Sequence, residues 1–274
     1  MTRPKRSLSQ NFLVDHNIRR KLVETLGAGP EDVVLEVGPG HGELSELLVG
    51  RVRQLLLVEK DDRLAPELRR RWDGRDDVRV VHGDALEVDL SALLVTALDA
   101  GATGPRLISN LPYAITSPLL FRLLDVAPPA ERIVVLVQEE VARRITSDPG
   151  CKEYGALTVG VRTQARAEFA FTVSRNAFRP VPGVDSAALV LEPVDGPEGE
   201  RRERLRDLVR AAFSRRRKQL RTILRSAPAY GLGAEAAEGI LAGLGIDPRA
   251  RPETLSPDQF VALADRLEAH PRVG

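Results

Sequence analysis

The stretch Leu35-Glu36-Val37-Gly38-Pro39-Gly40-His41-Gly42-Glu43-Leu44 constrains this chain more than any other. A short apolar run, Val33-Val34-Leu35, leads into it, and a helix-like segment, Glu43 to Val49, leaves it. Glycines at a strand-to-helix turn let the backbone come close to a ligand, because no Cβ stands in the way. The helix start beyond them offers N–H groups with no partner of their own. Gly38, Gly40 and Gly42 read G-x-G-x-G, which is not the G-x-G-x-x-G of a dinucleotide-binding turn. An acidic residue, Glu36, stands two positions before the first glycine.

From residue 33 onward, short apolar runs recur at 33–37, 55–58, 78–81, 106–109 and 133–137. Helical patterns lie between them at 43–50, 62–71, 90–98, 116–125 and 138–146. Strands alternating with helices predict an α/β fold, a parallel sheet with helices on both faces. Such sheets bind ligands at the carboxyl ends of their strands. Polar residues stand at those ends: Gly38 after the first strand, Glu59 after the second, Asp84 after the third and Asn110 after the fourth. The E-x-G-x-G-x-G pattern resembles the first motif of Rossmann-like methyltransferases, which bind S-adenosylmethionine (SAM). In such a site the glycines admit the methionine part. Glu59, about twenty residues further on, is placed to accept the ribose hydroxyls. Asp84 can accept a hydrogen bond from the cofactor's adenine amine.

Asn110-Leu111-Pro112-Tyr113 is the most specific stretch. An adenine amine is a weak nucleophile, because its lone pair is delocalised into the ring. Two acceptors on its two hydrogens would localise that pair. The side-chain carbonyl of Asn110 and the main-chain carbonyl of Leu111 or Pro112 are the candidates. Proline stiffens this backbone, and Tyr113 offers a ring on which an unstacked base can lie.

Composition closes off other classes. One cysteine, Cys151, excludes an internal disulfide and a cysteine metal cluster, and the four histidines lack metal-ligand spacing. No metal is expected. No apolar run approaches the ~20 residues of a membrane span, and no signal core follows the basic start Arg3, Lys5, Arg6. Asp15 is a candidate N-cap for a helix over 16–26.

After residue 150 the alternation changes. Residues 156–167 and 187–192 are expected as two further strands. Between them a shaped loop, Asn176 to Ser186, holds two prolines and a glycine, with Phe178 as its candidate exposed aromatic. Residues 195–200 read as a linker, and beyond them the chain is helical. The formal net charge is only +1, yet the segment from Arg201 to Arg225 is crowded with arginine. Arg215, Arg216, Arg217 and Lys218 are consecutive, and on a continuing helix they would cover nearly a full turn. That concentration favours a phosphate-binding surface. More helices are expected around 234–244 and 257–269. The expected domains are 1–194, catalytic, and 195–274, small, all-α and basic.

From Lys5 to Leu224 the chain resembles the ribosomal RNA adenine dimethyltransferases of the bacterial KsgA type. The pieces that carry this, in order, are Gln10-Asn11-Phe12-Leu13, Glu36 to Gly42, Val58-Glu59-Lys60-Asp61, Gly83-Asp84-Ala85, Asn110 to Tyr113, Phe178 to Ser186 and Ala212 to Arg221. The resemblance implies SAM-dependent dimethylation of two adjacent adenosines in a hairpin loop near the 3′ end of 16S rRNA, during maturation of the small subunit. It also implies that Asn11 and Leu13 contact SAM, with Gly38, Gly40, Glu59, Asp84 and Asn110. Tyr113 and Phe178 would sandwich the target base, and Arg215, Arg216, Arg217, Lys218 and Arg221 would bind RNA. The first motif begins almost at Met1, which among the family's branches implies a bacterial, cytoplasmic enzyme, and a monomer is expected. The rival readings are a non-catalytic rRNA-binding assembly factor, a large-subunit rRNA methyltransferase of the resistance type, a NAD-dependent oxidoreductase and a small-molecule methyltransferase.

Overall fold

The computed structural model describes residues 11–227 and 230–268. The basic start of the chain, Gln10 and residue 269 lie outside that range. By its internal contacts the chain forms two compact units. The first runs to Ala142 and includes Arg166–Pro193; the second holds Arg143–Ala165 and the described chain from Val194 onward.

The first unit opens with a two-residue strand, β1 (Phe12–Leu13), and helix α1 (His16–Leu26). Asp15 caps α1 as expected: its Oδ1 accepts the N–H groups of Asn17 and Ile18, an arrangement worth about 1 kcal/mol. Then come β2 (Asp32–Val37), α2 (Ser45–Leu48), β3 (Gln54–Glu59), α3 (Leu64–Arg71), β4 (Val78–His82), α4 (Leu90–Asp99), β5 (Thr103–Asn110), α5 (Thr116–Leu124), β6 (Arg132–Gln138) and α6 (Glu139–Thr146). Every strand from β2 to β6 lies where the apolar pattern puts it. Strands β2, β3 and β6 read as near-continuous buried runs, as a sheet covered on both faces requires, whereas the edge strand β4 is half-buried and β5 is buried mainly over 107–109. Along each strand alternate side chains face opposite sides. Val34, Leu55, Leu57, Ile108, Val134 and Leu136 join Leu22 and Leu26 of α1 and Leu48 of α2 in one core. On the β2 strand, α4 is a further packing partner.

The sheet has seven strands in the order β4-β3-β2-β5-β6-β9-β7. Strands β2 to β6 are parallel neighbours. Strand β9 (Ser186–Pro193) is antiparallel to β6, with Gln138 opposite Ser186. The order reverses at β2 and β5, so the carboxyl ends of those two strands flank the crevice where doubly wound sheets bind ligands. A separate two-stranded pair joins β1 to β8 (Phe178–Arg179), with Phe12 opposite Arg179 and Leu13 opposite Phe178.

One expected strand is corrected. Residues 156–162 form helix α7 (Ala156–Arg162), and only Ala165–Val173 is a strand, β7. The β-branched residues of Ala156-Leu157-Thr158-Val159 suit a strand on propensity, but tertiary packing overrides that weak preference. Val159 and Tyr154 belong to the core of the second unit, with Leu208, Leu224 and Phe260. Residues 143–165 thus fold with the second unit, whereas the sequence boundary at 194 assigned them to the first. The remainder of this unit is α8 (Gly199–Ser214), α9 (Leu220–Ser226), α10 (Ala234–Gly243) and α11 (Pro257–Glu268). The consecutive basic residues 215–218 do not continue a helix. Helix α8 stops at Ser214, the Lys218 N–H donates to the Arg215 carbonyl at 2.8 Å in a turn, and α9 starts afresh after Gln219 in an extended conformation.

Candidate active site

The glycine turn follows β2 directly. Gly38 has φ +69° and a Cβ built on it would meet nothing within 4 Å, so its backbone borders open space. Gly42, at φ +83°, is glycine for a different reason: its Cβ would lie 2.5 Å from the Trp72 ring. The turn is pinned at its base, where the Gly38 N–H donates to the Val58 carbonyl at 2.9 Å.

Four carboxylates line the cleft around this turn, Glu36, Glu43, Glu59 and Asp84, and three of them have partners. Glu59 ends β3 almost completely buried. Its Oε2 accepts the Gly40 N–H at 3.0 Å, and its Oε1 accepts the Asp61 N–H at 2.8 Å. Burial raises its pKa against these hydrogen bonds, which lower it. Asp84, beyond β4, is ion-paired with Lys60 and accepts the Leu86 N–H at 3.0 Å. The Lys60 hydrogen bond holds its pKa below the usual carboxylate range. Glu36, inside β2, is buried and accepts the Ser45 hydroxyl at 2.6 Å. Burial pushes its pKa up to about 8, so at neutral pH it is largely a neutral acid.

Asn110 is the last residue of β5, opposite Leu136 of β6. Its Nδ2 donates to the Asn11 main-chain carbonyl at 2.8 Å. That contact assigns the amide's orientation and leaves Oδ1 to act as an acceptor. The Leu111 N–H donates to the Leu136 carbonyl at 3.0 Å, which continues the sheet one residue past Asn110. The structure also separates the two main-chain acceptors left open by the sequence. The Pro112 carbonyl is taken by the Ile115 N–H at 3.1 Å and the Thr116 hydroxyl at 3.2 Å. The Leu111 carbonyl accepts no hydrogen bond among the described residues, so it is the available one. Tyr113 follows in a one-turn 3-10 helix, its phenol half-buried and 2.6 Å from Ser186 Oγ. Burial raises its pKa and keeps it neutral.

These parts share one cleft of ≈ 190 Å³. Asn11, Leu13, Gly38, Gly40, Glu59, Asp84 and the whole Asn110-Leu111-Pro112-Tyr113 segment line it. Phe178 does not, and the expectation of an exposed ring there is corrected. Its side chain is 0% exposed and sits in the core with Leu13, Leu22 and Val190. Pairing of β8 with β1 turns the ring inward. Three contributors were missed in the sequence as site residues: Glu36, Lys60 and Ser186. Glu36 was visible as an acid inside a buried strand; the other two act through contacts that no local pattern reveals.

In the second unit, the basic residues fall into two groups. Arg216 reaches the Cys151 carbonyl at 3.2 Å and Glu253 at 3.7 Å, and Arg221 pairs with Glu238 at 2.9 Å. Arg215 bonds Ser226 Oγ. Arg217 and Lys218 are exposed, and their side chains have no partner among the described residues. Both line a shallow groove with Phe213, Ser214 and Thr222.

A doubly wound sheet with an open glycine turn, acidic strand ends and an Asn-Leu-Pro-Tyr segment in one cleft is the architecture of Rossmann-like methyltransferases. The profile described as ribosomal RNA adenine dimethylase matches residues 1–269. The chain belongs to that family, and its chemistry is SAM-dependent methylation of rRNA adenine. A curated relative, ribosomal RNA small subunit methyltransferase A of Rubrobacter xylanophilus, is 44% identical, covering 97% of this chain and 95% of its own. A dimethyladenosine transferase from Plasmodium falciparum shares the fold with a TM-score of 0.77, at 24% identity over 92% of this chain and 95% of that one. The 23S rRNA methyltransferase ErmE is 31% identical with a TM-score of 0.70, over 94% of this chain and 100% of that one. Among the described residues no helix is long and apolar enough to cross a membrane, and no cluster of metal-ligating side chains occurs.

The cleft fits SAM on its own chemistry. Open space faces Gly38, a buried carboxylate stands at the end of β3 and a second carboxylate at the end of β4, matching in order an amino-acid tail, a ribose and an adenine.

Proposed function

We propose that this chain dimethylates two adjacent adenosines in a hairpin loop near the 3′ end of 16S rRNA, on the maturing small subunit, as a cytoplasmic monomer. The small-subunit assignment is supported by the name of the 44% identical relative. The observation that carries the catalytic part is the Asn110 amide, oriented through Nδ2 by the Asn11 carbonyl.

SAM, when bound, supplies a methyl group on a sulfonium. Gly38 and Gly40 border its methionine part, Glu59 takes the ribose and Asp84 the adenine, with Asn11 and Leu13 closing the side formed by β1. Asn110 Oδ1 and the Leu111 carbonyl accept the two hydrogens of the target amine. They hold it so that its lone pair points out of the base plane toward the donor side of the cleft. The gain is positional and electrostatic, since both acceptors are fixed before the base arrives. Tyr113 stacks on the unstacked adenine. Phe178 serves the same site by anchoring β8, which holds β1 and therefore the Asn11 carbonyl. Arg217 and Lys218 contact RNA phosphates, joined by Arg215. Arg216 and Arg221 brace the turn that presents them.

The test incubates the protein with labelled SAM and, in parallel, unmethylated small and large subunits, then digests the RNA and identifies labelled nucleosides. Dimethyladenosine at two neighbouring positions near the 3′ end is expected. Label confined to large-subunit RNA would move the chain to the branch of ErmE. Intact RNA binding with no label would leave the assembly-factor reading.

A further inference from the structure

We propose that Ser186 is a positioning residue for the transfer step, acting through the Tyr113 ring. The proposal rests on the reading of Tyr113 as the surface on which the target adenine stacks. No motif reading assigned Ser186 a role, and it lies 73 residues from Tyr113 in sequence.

The geometry makes the two residues a unit. Ser186 is 0% exposed and is the first residue of β9. Its backbone is locked on the sheet: it pairs with Gln138 at the end of β6, and the Glu139 N–H donates to the Asp185 carbonyl at 3.0 Å just beside it. Asp185 is held in turn, its Oδ1 accepting the Arg175 N–H at 2.8 Å. The Ser186 hydroxyl is therefore a fixed point. At the other end, the main chain of Tyr113 is held by Pro112 and by the Thr116 hydroxyl, whose one hydrogen is shared between the Pro112 and Tyr113 carbonyls, each at 3.2 Å. Between these anchors the Tyr113 side chain has two torsions. The hydrogen bond at 2.6 Å closes that loop and fixes where the ring axis points, because the phenol oxygen lies on that axis, and the preference of a phenol O–H for the ring plane then limits rotation about it.

A stacked base inherits the pitch of the ring beneath it. Asn110 and Leu111 are fixed by separate contacts, so a ring free to swing would bring the amine to those acceptors at the wrong height or angle. Misplacement by a fraction of an ångström is felt in the transfer step, because reacting atoms must approach within about 3–3.5 Å in line. It is not felt in cofactor affinity, because neither hydroxyl belongs to the carboxylate and glycine groups that take SAM.

The experiment is a double-mutant cycle on the full chain with small-subunit particles, using Ser186→Ala, Tyr113→Phe and the double variant. Each single substitution removes the same bond and is expected to lower kcat about tenfold, the scale of one lost hydrogen bond in the transition state. The Kd for SAM should stay within about twofold of wild type, because uniform binding is untouched. The double variant should be no slower than either single one, since groups acting as a unit are non-additive. Multiplying effects, or a Ser186→Ala loss of SAM affinity as large as its loss of kcat, would make Ser186 a structural residue and overturn the proposal. If Ser186→Ala does not fold, Tyr113→Phe still decides: near-normal kcat without the phenol hydroxyl overturns it. Tyr113→Ala separates the two readings. Full activity there removes the stacking role itself, whereas an inactive Tyr113→Ala beside a fully active Tyr113→Phe removes only the role of Ser186.

Discussion

At the scale of single residues, the proposed site rests on polar groups fixed by partners that the proposed reaction would not consume. Asn110 spends its nitrogen on Asn11, and the oxygen is what remains for substrate. Asn110→Ala should therefore lower kcat by about a hundredfold, the range seen when one fixed polar group facing a transition state is removed. The SAM Kd measured by calorimetry should rise far less than kcat falls, because the glycine and carboxylate groups proposed to hold most of SAM remain, although Asn110 itself lines the cleft. Glu36 gives a second prediction at this scale. Its folded pKa of about 8 lies above the 4.5 of an ordinary Glu. Between those values the folded chain binds a proton that the unfolded chain has lost, so stability falls as pH rises from about 4.5 to about 8. Glu36→Gln keeps the shape and an acceptor for the Ser45 hydroxyl but cannot ionise. Its urea midpoint should vary less over that window than wild type, and should exceed wild type most at the alkaline end. Glu59, Asp84 and Asn110 were legible in the sequence because parallel sheets put polar residues at strand ends. Phe178 and Ser186 were not, since burial and side-chain partners across the sheet leave no local signature.

At the scale of elements, strands were easier to read than the short helices and turns. Buried parallel strands announce themselves as apolar runs. Helix α7 did not, because seven residues give two turns and Thr158 and Val159 look like strand residues. What makes the segment helical is a local cap combined with non-local contacts. Thr158 takes the Gly155 N–H at 3.0 Å and donates to the Arg144 carbonyl at 2.6 Å, while Val159 enters the helical core. The turn between α8 and α9 is a similar case. Four cations in a row suggested nearly a full turn of one continuing helix, whereas the chain turns there and gives them different partners. Arg217→Ala with Lys218→Ala should lower RNA affinity and reduce the slope of log K against log salt by about 0.7 to 0.9 for each phosphate no longer neutralised. Arg221→Ala should instead lower the melting temperature by removing the Glu238 pair, and leave the salt slope nearly unchanged. Filter binding over a salt series, beside thermal melts, checks both.

At the scale of the whole molecule, the chain builds its second unit from two separate pieces, and this bears on where it can be cut. Sequence composition marks a linker at 195–200, and a truncation after Val194 looks like a clean release of the catalytic part. Yet Tyr154 and Val159, both 0% exposed, are buried against residues that such a cut deletes. The Tyr154 hydroxyl also loses its acceptor, the Leu255 carbonyl at 2.7 Å. Full burial of side chains of this kind is worth about 1.5 to 3 kcal/mol each, and exposing them together makes an apolar patch prone to association. The fragment ending at Val194 should accordingly aggregate during size-exclusion chromatography. The same fragment carrying Tyr154→Ser and Val159→Ser should elute largely as a monomer and still bind SAM, because every residue proposed to hold the cofactor lies in the first unit. A soluble, monomeric fragment without those substitutions would mean that residues 143–165 find a stable place without the later helices, and would restore the boundary at 194.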